Sequence, residues 1–455
     1  MFSIIRPARW AAAALAVLFP VACSSGPSGP SGLNGISQNA TSRVPTRIDL
    51  STGAGIIKHV VIVVQENRSF DDMFQGYPGA NTVPSGKNSQ GKTIPLKPVS
   101  LKLVYAIDHS AEAMFTACDG TGKLPGTHCR MDAFDKEESF GGPQNPQYAY
   151  VPHNESKPYW DMAHEWVLGQ DFHPSQVDES FVSHQYIIAG QAASSVDVPL
   201  GPLWGCDGGA RDTVETLKSN RTFGPPQTAC FDYKTLGDEV DDASLTWRFY
   251  TSPVKTPMGG FWSGYQAIKH IRYGPDWKNV VNPQKKFLTD VAGGTLANVT
   301  WITPTCEESD HTQCGGGFGP SWVSSIVNAV GHSKFWDSTA IFVFWDDWGG
   351  LYDHVPPKFV GFDGLGFRTS LLVISPYAKQ NYISSKLYEH GSILRFTEDV
   401  FGLPQLSASD TRATSPAGDC FDFTQKPRAF VPIKAPQDME FFLTRAVDTR
   451  PPDYE

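Results

Sequence analysis

Three short stretches of this chain gather side chains able to do polar chemistry, and each follows an apolar run. Glu66-Asn67-Arg68-Ser69-Phe70-Asp71 comes after IIKHVVIVVQ (residues 56–65). Asp346-Asp347-Trp348-Gly349-Gly350-Leu351-Tyr352-Asp353-His354 comes after AIFVFW (340–345), and Asp310-His311 stands a few residues beyond ANVTWIT (297–303). Carboxylate and amide oxygens suit a hard or borderline divalent cation. The adjacent pair Asp346-Asp347 needs a positive charge between its carboxylates, or side chains that point apart. Each stretch also has a plainer reading. Ser69 can cap a helix with Asp72 reciprocating, and Glu66 then suits the helix dipole. Asp346-Asp347 can form a turn ahead of two glycines, and a lone His311 or His354 can be a packed or loop histidine. Taken together at strand ends, they point to one site.

The runs themselves explain how such residues could meet. IIKHVVIVVQ is almost continuously β-branched, as expected of a strand buried on both faces of a parallel sheet. Further strands are expected at 245–251, 297–303, 340–345 and 370–375, and helices at 181–193, 320–330 and 392–401. Strands interleaved with helices imply an α/β domain with a largely parallel sheet, in which ligands bind beyond the carboxyl ends of the strands. Residues 77–150 and 201–235 are rich in Gly, Pro and polar residues and read as insertions or lids. No internal repeat is evident, and 56–455 reads as a single catalytic domain.

With 37 Lys and Arg against 47 Asp and Glu, the net charge of −10 argues against a broad grip on nucleic acid. The 40% of hydrophobic residues is ample for a large core and wrong for a disordered chain. Arg6 and Arg9 precede the short apolar run 10–19, too short to span a bilayer and suited to a signal peptide over 1–22. Cys23, followed by Ser-Ser-Gly, resembles a bacterial lipoprotein cleavage site, with simple cleavage and release as the alternative; 23–55 has linker composition. An exported chain, whether periplasmic, secreted or held at the membrane through a lipid on Cys23, can form disulfides. Cys118/Cys129, Cys206/Cys230 and Cys306/Cys314 lie near one another in sequence, leaving Cys420 over. The absence of CxxC spacing weighs against a zinc knuckle.

The strings HVVIVVQENRSFDDMF and FVFWDDWGGLYDHVPP resemble the two signatures of the bacterial phospholipase C and acid phosphatase family. SDHTQCGGG is similar to that family's Ser-Asp-His-Pro segment, with Thr312 replacing Pro, and the likeness continues through GFRTSLLVISPYAK and YEHGSILRFTEDVFGLP to about Pro404. The resemblance implies an alkaline-phosphatase-like three-layer α/β/α sandwich with disulfide-stapled loop insertions. It implies one divalent metal ion held by Glu66, Asn67, Asp346 and Asp347, and a serine nucleophile at a helix start. The matching stretch runs Asp178-Glu179-Ser180-Phe181-Val182-Ser183-His184, which puts Ser180 in that role, although Val182-Ser183-His184 replaces the family's Pro-Asn-Arg. Ser175 and Ser183 are the fallbacks. His109, His311, His354 and His270 resemble the family's active-site histidines.

The implied activity is an exported, metal-dependent phosphoric ester hydrolase working through a phosphoserine, with phosphate esters or phospholipids as substrates. An acid phosphatase acting on monoesters is the alternative, favoured by the short stretch of about fifty residues after Pro404. A surface-binding lipoprotein of the same fold without catalysis is a further reading. Sulfatase chemistry is disfavoured because no Cys-X-Pro-X-Arg segment occurs. The aromatic segment Phe261-Trp262-Ser263-Gly264-Tyr265 could meet lipid or cap the core.

Overall fold

The computed structural model describes residues 49–450, apart from 202 and 254–261. The expected signal peptide, Cys23, the linker up to residue 48, and Phe261 lie outside the described residues. Residues 49–55, placed by composition at the end of the linker, carry a 3-10 turn, Leu50–Thr52, capped by the Asp49 side chain.

Every residue expected in the first strand beyond Lys58 is in one. β1 is His59–Gln65, and the other strands of the main sheet are β2 (Val167–His173), β3 (Trp247–Tyr250), β4 (Val280–Val281), β5 (Val299–Ile302), β6 (Thr339–Trp345), β7 (Thr369–Ile374), β8 (Tyr382–Ser384) and β9 (Tyr388–Glu389). They run in the order β4-β3-β5-β1-β6-β7-β2-β8, with β9 also on β2. All pairings are parallel except those of β7, which is antiparallel to both β6 and β2. The sheet is thus mixed and mostly parallel, as expected.

Five helices matter for the site: α1 (Phe70–Phe74), α2 (His153–Glu165), α3 (Ser180–Ala189), α4 (Gly319–Gly331) and α5 (His390–Phe401). They cover both faces of the sheet, as the alternation along β6 reveals. Phe342 and Phe344 meet Phe396 and His390 of α5. Trp345 points the other way, onto Phe74 of α1 and Tyr159 of α2. All seven residues of β6 are buried, so TAIFVFW shows no polar alternation.

β2 and α2 were not expected. VLGQDFH carries Gly, Gln and Asp and lacks a buried-strand signature, and its pairing with β7 on one side and β8 and β9 on the other makes it a strand. Pro158 lies inside α2 and masks the helical period. Residues 77–150 form short two-stranded ribbons and the helix Ala111–Cys118 around a small core shared with Val177, Val196, Leu217, Trp348, Tyr352 and Phe367. Cys118–Cys129, Cys206–Cys230 and Cys306–Cys314 are disulfides, and Cys420 is free and buried. Trp262 and Tyr265 are buried and cap the core.

Candidate active site

Parallel register brings distant residues together. Gln65 at the end of β1 pairs with Trp345 at the end of β6, and the Asp346 amide continues the ladder onto the Gln65 carbonyl at 3.0 Å. The next residues of both strands therefore leave the sheet side by side. Asn67 takes φ +58°, a left-handed conformation that Asn tolerates better than most residues. Its backbone N–H donates to Asp346 Oδ1 at 3.0 Å, and its side-chain Nδ2 lies 3.0 Å from both oxygens of Asp347, 280 positions away. Ser69 caps α1, as expected, by accepting from the Asp72 amide, whereas the Asp72 side chain, expected to reciprocate, is taken by Arg68. Capping and site formation are therefore compatible readings of one motif.

Asp346 and Asp347 point apart. Asp347 faces Asn67, whereas Asp346 faces Glu66 and His184, with His184 Nε2 3.2 Å from Glu66 Oε1 and 3.7 Å from Asp346 Oδ2. Gly349 makes this turn possible: its φ is +61°, and a Cβ there would sit 2.2 Å from the Asn67 carbonyl oxygen.

β2 ends at the same edge of the sheet, and the loop after it delivers Ser180 at the start of α3. Asn67 Nδ2 donates to Ser180 Oγ at 3.1 Å, and Ser180 Oγ lies 3.5 Å from Asp347 Oδ2. The preceding Asp178 accepts from the backbone of Ala111 and Asp197, tying the Ser180 loop to the segment that carries His109. His109 Nδ1 donates to the Ile107 carbonyl at 2.9 Å, and Nε2 lies 3.0 Å from Asn67 Nδ2. His311 packs beside His109, with ring centroids 6.2 Å apart. The His311 loop is held by the Cys306–Cys314 disulfide, by Arg68 Nε on the Asp310 carbonyl at 2.6 Å and by the Gln65 side chain on residues 308 and 310.

The structure thus brings Glu66, Asn67, Asp346, Asp347, Ser180, His109 and His311 into one buried cluster. It does not bring His354 or His270 there. His354 Nδ1 bonds to Asp71 Oδ2 at 2.6 Å and Nε2 to Asn81, inside a network that includes Arg368 and Asp353. His270 is exposed between Asp232 and Asp238. Their nearby acids, unseen in sequence, turn both histidines to structural pairing. The fallback serines have other partners: Ser175 accepts from the Gly391 amide, and Ser183 donates to the backbone carbonyl of Asp346.

Sequence reasoning missed His184 and His390. His184 lies four residues after Ser180, hence one turn along the same helix face, which was a usable signal. His390, at the start of α5, gave none. Burial holds His184 down to about 4 and His390 down to about 3, so both imidazoles are neutral. Burial, then the neighbouring Glu66 carboxylate, pushes the Asp346 carboxyl well above the usual range. His311 is lowered well below its ordinary value by burial and then His109.

The donor set fits a divalent cation. Four acceptors (His109 Nε2, Ser180 Oγ and both Asp347 oxygens) converge within 3.1 Å of one amide nitrogen that has only two hydrogens to give. Asn67 Oδ1 is buried without a hydrogen-bond donor, a costly arrangement. One positive charge among these oxygens would remove both problems. No helix among the described residues is long and apolar enough to cross a membrane.

Several known proteins are similar to this chain in sequence over most of its length. The hemolytic phospholipase C of Pseudomonas aeruginosa is 25% identical over 436 residues, covering 80% of this chain and 55% of that protein. Phospholipase C A of Mycobacterium tuberculosis is 23% identical over 402 residues, with 76% and 73% covered. The non-specific phospholipase C6 of Arabidopsis thaliana is 24% identical over 419 residues, with 84% and 75% covered. The chain thus spans about half the length of the Pseudomonas enzyme. Among solved structures, an alkaline phosphatase superfamily protein from Vibrio parahaemolyticus is similar at 10% identity and a TM-score of 0.39, covering 80% of this chain and 72% of that one. Residues 57–404, which carry every strand and helix of the site, match the Phosphoesterase family, and the chain belongs to it.

Proposed function

We propose that this protein is an exported, metal-dependent phosphoric ester hydrolase of phospholipase C type, cleaving its substrate through a phosphoserine on Ser180. The observation that carries the reading is the convergence of Ser180 Oγ, at a helix start, with Asn67 and Asp347 from two adjacent strand ends. Glu66, Asn67, Asp346 and Asp347 would hold one divalent ion, which supplies the positive charge that stabilises a serine alkoxide and phosphoryl oxygens.

The residues of the chain do the rest. Asn67 orients Ser180 Oγ through its amide. The N–H groups of the first turn of α3 receive phosphate oxygens, as helix starts do. His109 donates Nδ1–H to the Ile107 carbonyl, so Nε2 is left as the acceptor for the serine proton. His311 Nδ1 accepts from the Gln313 amide, so its ring proton is on Nε2, where it can hydrogen-bond the leaving oxygen while that oxygen takes the proton His109 received from Ser180. Such acid–base assistance is worth roughly 10²–10⁴-fold. Water then hydrolyses the phosphoserine with the proton roles reversed.

The names of the relatives favour a phospholipid diester, and three disulfides favour export. Turnover of p-nitrophenylphosphorylcholine against p-nitrophenyl phosphate tests the substrate class: activity on the monoester alone would make the protein a phosphatase. Ser180→Ala should lower kcat by at least about 10³-fold, whereas Ser183→Ala should not. Asp346→Asn with unchanged activity would remove the carboxylate pair from the mechanism.

A further inference from the structure

Glu66, Asp346 and His184 each bring a carboxylate oxygen or ring nitrogen within 4.8 Å of the other two, and all three residues are at most 1% exposed. Two of these atoms are carboxylate oxygens. One proton on Nε2 can serve only one of them: Nε2 hydrogen-bonds Glu66 Oε1 at 3.2 Å, and Asp346 Oδ2, 3.7 Å away, is buried without a hydrogen-bond partner. The imidazole is also held from behind, since the ring bonds to the backbone of Trp262. A metal-bound histidine typically has such support through its second nitrogen, which fixes the ring and its tautomer.

One further buried polar atom, Asn67 Oδ1, lies against this cluster without a donor. It belongs to the residue that bridges Asp346 and Asp347. The His390 ring packs between Phe172 and Phe344, close to Asp346 and His184. The Arg68 side chain is turned to Asp72 and Asp310.

We infer that His184 is a direct nitrogen ligand of the cation site and gives that site a preference for a borderline transition ion over Mg²⁺ or Ca²⁺. The inference rests on the metal-dependent reading above, and it adds to the four oxygen-bearing residues a fifth whose chemistry is different. An all-oxygen set accepts Mg²⁺ and Ca²⁺ readily, while an imidazole shifts preference towards Mn²⁺, Co²⁺ and Zn²⁺. Placing it four residues after Ser180 mounts the nucleophile and a ligand on one rigid helix face, so the serine and the ion keep a fixed separation.

The test is on the full mature chain, stripped with a chelator and reloaded. In pulsed EPR of the Mn²⁺-loaded protein, the wild type should have the ¹⁴N coupling of a directly bound imidazole, and His184→Gln should lose it. Calorimetric titration with Co²⁺ and with Mg²⁺ should give a Co²⁺/Mg²⁺ affinity ratio that falls at least about tenfold in His184→Gln. Absence of the coupling in the wild type overturns the inference, and needs no variant to fold. So does a coupling or ratio unchanged in His184→Gln when Asp346→Asn has lost the ion, the result expected if His184 merely bridges the carboxylates with a proton. If Asp346→Asn binds Mn²⁺ as tightly as the wild type, the metal reading of the whole site fails, and the inference with it.

Discussion

Two histidines of this chain carry the same expectation from sequence and are set apart by what they touch. His311 sits beside His109 under Trp262, with Nδ1 occupied by a backbone amide. His354 instead answers Asp71, a buried carboxyl already raised by burial and by Asp353. Removing a partner from a buried charge leaves the charge uncompensated, which is a stability effect. His354→Ala should therefore lower the melting temperature by several degrees and leave kcat at a permissive temperature within a few-fold. His311→Ala should do the reverse, with kcat down about 10²–10⁴-fold and little change in melting. Equal losses of activity in the two variants would place His354 in the chemistry after all. A pattern of residue types could not separate them, because Asp71 and Asn81 reach His354 only through folding.

At the scale of elements, the sequence was legible where an element is buried on both sides and opaque where neighbours impose it. The runs of β1, β5, β6 and β7 announce themselves, and the first three put Glu66, Asp310 and Asp346 beyond strand ends. β7 reads as a strand but not as an antiparallel one, since direction is a property of its partners. β2 and α2 stay hidden behind polar residues and Pro158, and with them the route by which α3 reaches the site. The turn after β6 is legible as Gly-Gly, yet its reason is tertiary: Gly349 is pressed on Asn67. Gly349→Ala should thus displace Asn67 and cost at least about 10²-fold in kcat/KM, as small misplacements of reacting groups do. The control is Gly402, the C-cap of α5, with φ +68° and nothing within 4 Å of an added Cβ. Gly402→Ala should cost roughly 1 kcal/mol of stability with activity intact. If both variants keep full activity, the tight contact at Gly349 does not position Asn67.

The whole molecule places its charge unevenly, and this sets how its stability responds to pH. Away from the site, α5 buries Glu398 against Asp410 and near Glu239, an acid cluster that composition alone cannot reveal. Asp410 accepts from the Leu406 and Ser407 amides. Burial first, and then Asp410, push the Glu398 carboxyl up to about 9, and burial pushes Glu239 up to about 7. The native chain therefore keeps a proton on Glu398 that the unfolded chain releases near pH 4.3, the ordinary value for Glu. Between that pH and about 9 the unfolded state binds fewer protons, so this group makes stability fall as pH rises and has no further effect above the window. Glu398→Gln keeps the shape of the neutral carboxyl and removes its titration. Its melting temperature should match the wild type near pH 4.5 and exceed it by roughly 2–4 °C at pH 8, measured at one scan rate because the disulfides make unfolding slow to reverse. Parallel melting curves across that range would mean that Glu398 ionises freely in the folded protein, and that the stability of this half of the fold does not depend on a retained proton.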